Sequence, residues 1–164
     1  MKEKAEPTKE ELKLHRKMAA QYFNQTWDLM EKENRTKEDD DLMIHTAHAS
    51  RYHWGILVSS DKYDEAGPEN LERGEWQISR MYTVLKRPEP ALHHAQRCLD
   101  ICKENKIGDW DIAFAYEAMA RANSIAKNKE ETNKFLKLAK EAGEKIKKKE
   151  DKDYLLSEIK TIQV

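Results

Sequence analysis

Arg73, Trp76 and Arg80 stand three and four residues apart, so a helix through them presents an indole between two guanidinium groups, and Thr83 continues the face. This chemistry suits an anion. A guanidinium forms bidentate, charge-assisted bonds with carboxylate or phosphate, and an aromatic ring can pack on the apolar part of the same ligand. Forty-one residues further on, the same register holds Phe114, Glu117, Arg121 and Ser124, which makes Arg80 and Arg121 equivalent positions. The plainer alternative is that Trp76 packs on a neighbouring helix while the arginines pair with Glu72, Glu75 or Glu117, in surface ion pairs worth about 0 to 1 kcal/mol.

A second set, Asp41, His45, His48 and Tyr52, has spacings of four, three and four and forms one narrow helical stripe, opposite Met43, Ala47 and Trp54. Two imidazoles and a carboxylate could hold zinc, with water or another helix completing the site, and without metal His and Tyr could act as general acid and base. The pair lacks the Glu of the metalloprotease motif, and an ordinary polar helix face is the competing reading. His94 borders a stripe of small residues and is expected to hydrogen-bond at a helix interface, and His53 stands apart from the stripe. Cys98 and Cys102, four apart on one helix, are expected to be reduced core thiols. The sequence contains no glycine-rich phosphate loop, nucleophile elbow or paired zinc knuckle, and no cofactor is expected.

The elements that must position these residues are helices. Hydrophobic residues make up 38% and charged residues 37% of the 164, with only five Gly and four Pro, a mixture that favours long amphipathic helices over sheet. Thr8 and Glu11 form a capping box ahead of the stripe Leu12, Ala19, Phe23, Trp27 and Met30, giving a first helix over about 9–33. The acidic run from Glu38 to Asp41 opens a second helix reaching Leu57. Pro68 starts a third, to about Leu85, and a turn holding Pro88 and Pro90 leads to a fourth over about 89–105. Gly108 precedes a fifth helix to about Lys127, a sixth covers 129–146, and Asp151 to Ile162 closes the chain with Tyr154, Leu155 and Ile159 as its cover. On the third helix Leu71, Ile78, Tyr82 and Leu85 form the expected core side, leaving Arg73, Trp76, Arg80 and Thr83 opposite.

Small residues recur in register. Forty-one residues separate Ser79 from Ala120, Ala91 from Thr132, Ala95 from Leu136 and Cys98 from Ala139, the signature of stacked helical hairpins that need neighbours to bury their apolar faces. With these residues, the stretch from Arg73 to Lys147 resembles two tetratricopeptide-type hairpins. It departs from that family in its longer period, in Asn123 where Tyr82 keeps the aromatic, and in Thr132 where alanine is usual. The resemblance implies an all-α superhelix of about seven antiparallel helices whose first helices line a concave groove, which here would be basic and aromatic. The segments His45 to Trp54, Arg73 to Tyr82 and His93 to Cys102 also resemble a family of uncharacterised bacterial proteins, a likeness that implies no activity.

The chain is expected to be one domain. A flexible terminus over 1–8 precedes a hairpin over 9–57, two tetratricopeptide-like hairpins over 68–146 and a capping helix over 151–162. Net charge is −1, so no global field draws it to nucleic acid or an anionic membrane. Met1 to Pro7 carries no apolar stretch of signal-peptide type, and the expected compartment is the cytoplasm. The expected function is a binding or scaffold module for a peptide, a protein or a small anionic ligand. Alternatives are a metal-binding or hydrolase-like protein using the second helix, and a structural homodimer. If the groove arginines are surface residues, truncating Arg80 and Arg121 should weaken binding and leave stability nearly unchanged.

Overall fold

The first two helix starts in this chain are set by side chains that satisfy otherwise unpaired N–H groups. Thr8 and Glu11 cap each other reciprocally as expected, and Thr36 with Asp39 forms a second box, so part of the acidic run on helix two does capping work. The computed structural model describes residues 6–164, and Met1 to Ala5 of the expected flexible terminus lie outside them. Among the described residues there are seven helices and no strand: α1 (Lys9–Glu31), α2 (Lys37–Val58), α3 (Pro68–Val84), α4 (Pro88–Glu104), α5 (Asp109–Ile125), α6 (Lys129–Gly143) and α7 (Lys149–Ile159). None is long and apolar enough to cross a membrane.

The 41-residue period is a property of the backbone. The α3–α4 hairpin turns through Lys86 at φ 54° and the α5–α6 hairpin through Lys127 at φ 61°, each closing the preceding helix with a left-handed residue. The next amide then reaches back in the same way in both, Arg87 N–H to Tyr82 O at 2.9 Å and Asn128 N–H to Asn123 O at 3.0 Å. Inside the hairpins Ala91, Ala95, Cys98, Ala120 and Ala139 are fully buried, and Ser79 donates to the carbonyl of Ala91 at 2.9 Å. Such small side chains let helix axes come close.

Neighbouring helices pack in sequence, and the odd-numbered helices also touch one another: α1 with α3, α3 with α5, and α5 with α7. The even-numbered helices touch only odd ones. The result is a two-layered all-α stack with the architecture of a helical superhelix, in which α3 and α5 each have four neighbours. This alters the expected division of α3. Glu72, Gly74, Glu75, Gln77, Ile78, Ser79 and Met81 are all buried, so the helix has no broad solvent face. On α5 Phe114 and Glu117 are buried too. In α7 Leu155 and Ile159 cover the end of the stack as expected, while Tyr154 stays half exposed.

Gly74 lies where α3 crosses α2. A Cβ built there would sit 2.6 Å from Cδ of Arg51, whose guanidinium is held by Glu75 at 2.9 Å. Gly74→Ala gains up to about 1 kcal/mol of helix propensity but overpacks at a cost of about 1 to 3 kcal/mol. Net destabilisation of about 1 kcal/mol is expected in urea unfolding. Equal or greater stability would place the crossing elsewhere.

Candidate functional site

The residues singled out on α3 and α5 do converge, but on partners within the chain. Aromatic rings run across the four odd helices: Trp27 to Trp76 at 5.6 Å, Trp76 to Phe114 at 5.8 Å and Phe114 to Tyr154 at 5.5 Å between centroids. Trp76 is therefore half-buried between helices. Beside the ladder, Arg73 grips Asp111 through Nε at 2.9 Å and Nη2 at 3.0 Å, and its guanidinium lies 4.6 Å from the Trp110 ring centre.

Arg80 and Arg121 meet as their equivalence suggested. Arg80 Nη2 lies 2.6 Å from a Glu158 oxygen and its Nη1 3.5 Å from Glu117, while Arg121 Nε donates to Glu117 at 2.6 Å and its Nη2 reaches Glu158 at 3.2 Å. Two cations face two carboxylates, so the cluster is internally neutral. Glu117 is 1% exposed, which overturns the expectation that the arginines could be removed at no cost to folding.

One turn further along the same two helices the surface opens. Thr83 and Ser124, with Lys86, Lys127 and Lys129, line a hollow of about 700 Å³ at the turn end of the odd helices. Ser124 Oγ donates to Gln163 O at 2.6 Å, and Thr83 Oγ1 to Arg80 O at 2.7 Å. The three lysines are exposed, and no carboxylate among the described residues pairs with them. Of the expected ligand set only the uncharged Thr83 and Ser124 lie here, and the three lysines beside them were not among the expected residues.

The stripe on α2 is split by the fold. Asp41 and His45 are exposed, whereas half-buried His48 turns to α3 and places Nε2 3.0 Å from the Tyr82 hydroxyl. Burial, aided by His94 nearby, holds the His48 imidazole below its ordinary pKa. His94 takes the interface role expected of it, with Nδ1 2.7 Å from Glu75, whose other oxygen accepts from Arg51 at 2.9 Å. Burial opposes ionisation of Glu75, but the hydrogen bond from His94 and the charge of Arg51 hold its carboxyl below the usual range.

A further cluster was read only in part from sequence. Cys98 and Cys102 are buried as expected, but they face the carboxylate of Glu72, which is itself 2% exposed. Cys98 Sγ donates to Glu72 Oε2 at 3.2 Å, Cys102 Sγ lies 3.8 Å from the same oxygen, and Glu72 Oε1 has no hydrogen-bond partner. Burial, with the Asp111 carboxylate alongside, pushes Glu72 up to about 10. Burial also raises the Cys98 thiol. The signal was available in the repeat: Ser79 faces α4, and Glu72, seven residues before it, shares its side of the helix.

The two buried carboxylates predict opposite mutant effects. Arg121→Ala leaves Glu117 short of its closest cation and should cost about 3 kcal/mol. Glu72→Gln, measured in chelator-containing buffer, should stabilise. The folded pKa lies above the unfolded one, so below about pH 4.5 both states are protonated and the two proteins match. At higher pH the unfolded carboxyl ionises first, and wild type loses stability relative to the variant as pH rises. Denaturant unfolding from pH 5 to pH 8 checks both, and a Glu72→Gln protein no more stable than wild type at pH 8 would refute the second.

Compared with known proteins, the chain matches no family model, no curated protein and no solved structure.

Proposed function

We propose that the chain is a tetratricopeptide-like binding module that takes an acidic peptide or small anionic ligand on its odd-helix face, at the hollow lined by Thr83, Lys86, Ser124, Lys127 and Lys129. The observation that carries this reading is the local charge. Arg73, Arg80 and Arg121 are neutralised by Asp111, Glu117 and Glu158, whereas the three lysines at the hollow have no such partners among the described residues. The arginines do not line the hollow, and Arg80 and Arg121 lie one turn before Thr83 and Ser124 on the same helices. They fix α3, α5 and α7 side by side, and so fix the Thr83 and Ser124 hydroxyls that continue their faces.

Lysines serve here as mobile point charges that tolerate varied anion geometry, which suits a peptide carboxylate cluster better than one rigid group. The attraction must be salt-sensitive, because exposed charges are screened within about 8 to 10 Å at ordinary ionic strength. Apolar anchoring would come from Ile125, which also borders the hollow.

A fluorescent oligoglutamate peptide, followed by anisotropy on the full chain, tests the reading. Replacing Lys86, Lys127 and Lys129 together by alanine should weaken binding at least about tenfold, a loss of about 1.4 kcal/mol, and leave the thermal midpoint unchanged. A control variant losing Lys103, Lys140 and Lys145, equal in charge but away from the hollow, should bind as wild type does. Equal losses in both variants, or no binding by wild type, would remove the hollow as a site.

A further inference from the structure

Glu72, Cys98 and Cys102 present a carboxylate oxygen and two sulfurs that all lie within 4.8 Å of one another, and among the described residues this is the one such group of three His, Cys, Asp or Glu ligands. We propose that these residues form a buried site for a thiophilic divalent cation of the zinc class. The site is distinct from the α2 stripe and independent of the lysine hollow.

The geometry fits with little movement. Tetrahedral zinc with bonds of about 2.3 Å to sulfur and about 2.0 to 2.2 Å to oxygen sets its ligand atoms roughly 3.5 to 3.8 Å apart. The sulfurs stand 3.2 and 3.8 Å from Glu72 Oε2. Cys98 and Cys102, one helical turn apart, point the same way from α4, and Glu72 approaches from α3, so both arms of one hairpin contribute. The hairpin's close packing fixes the ligands in advance.

Two further features point to a ligand. Glu72 Oε1 is buried with no hydrogen-bond partner, an arrangement that a native interior seldom leaves unexplained. A cavity of about 60 Å³, bordered by Glu72, Arg73, Asp111, Trp76 and Trp110, reaches the cluster from the Glu72 side, and neither cysteine lines it. Two sulfurs and one carboxylate oxygen suit a softer cation than magnesium or calcium, which demand more oxygen donors.

The proton balance is explicit. Burial raises Glu72 and the Cys98 thiol and so favours their protonated forms, whereas the Cys98 hydrogen bond lowers the Cys102 thiol. On binding, each S–H or O–H bond still present on Cys98, Cys102 and Glu72 breaks, its proton passes to water, and three anionic ligands close on the dication. The Arg73 guanidinium, with Nε 3.6 Å from Glu72 Oε1, offsets the resulting negative charge. The protein would thus release protons as it takes up metal.

The test uses untagged full-length protein refolded under thiol-free reductant with cobalt(II), because the closed site is best filled as the chain folds. One equivalent should bind, giving a thiolate-to-cobalt charge-transfer band and tetrahedral visible bands, and zinc(II) should displace it with release of protons. Cys98→Ser with Cys102→Ser should abolish the band and weaken zinc binding at least about 100-fold. If that pair does not fold, Cys102→Ser alone should lower affinity and alter the band. Glu72→Gln, expected to fold well, should weaken binding about tenfold or more. Replacing His45 and His48 by alanine should change nothing. Folded wild type with no thiolate–cobalt band, or one-to-one binding that survives loss of the cysteines, would overturn the proposal.

Discussion

Close approach between helices is the constraint on which the rest of this structure depends. Ala91, Ala95 and Cys98 of α4 and Ala120 and Ala139 of the next hairpin have no exposed surface, and each presents a side chain short enough for two helix axes to draw together. Larger residues at these positions would push the hairpins apart and reopen the seam between layers. Because they are small, α3 and α5 are surrounded on four sides, and residues that would be solvated in a looser bundle become interior.

Enclosure turns ordinary surface chemistry into high-stakes electrostatics. A carboxylate in the odd-helix layer must find a cation or give up its charge, and the chain uses both solutions. Glu117 stays paired with Arg80 and Arg121, and the pattern repeats 41 residues on when Arg121 meets Glu158. Glu72 has its nearest cation 3.6 Å away, lies beside another carboxylate, and is driven to hold its proton. Such a group weakens the folded state at neutral pH. A carboxyl set against two thiols is what the proposed ligand set requires, and an apolar residue would serve the core alone better.

Much of the architecture was legible because local signals set it. The Thr8–Glu11 box, the prolines at the starts of α3 and α4, and the 41-residue register each act within a few residues or through a simple repeat. The sites were less legible because helical periodicity divides a helix into two faces, and α3 has four neighbours. Arg73, Trp76 and Arg80 read as an open face, yet the carboxylates that occupy the arginines come from α5 and α7, as much as 78 residues later for Glu158 against Arg80. Cys98 and Cys102 read correctly as buried, while Glu72 was hidden by its charged neighbours in sequence. Thr83 and Ser124 border the hollow where the lysines collect, and those lysines were not legible as a group because they lie on two different turns.

The central claim is that the odd-helix layer is closed at its arginines and open at its turn end. Amide and indole chemical-shift mapping by NMR during titration with an acidic peptide tests this most directly. The account predicts shifts concentrated at Thr83, Lys86, Ser124 and Lys127, with the Trp76 indole N–H and the Arg80 and Arg121 side chains unmoved. Largest shifts at Arg73, Trp76 and Arg80, with little change at the lysine turns, would contradict it.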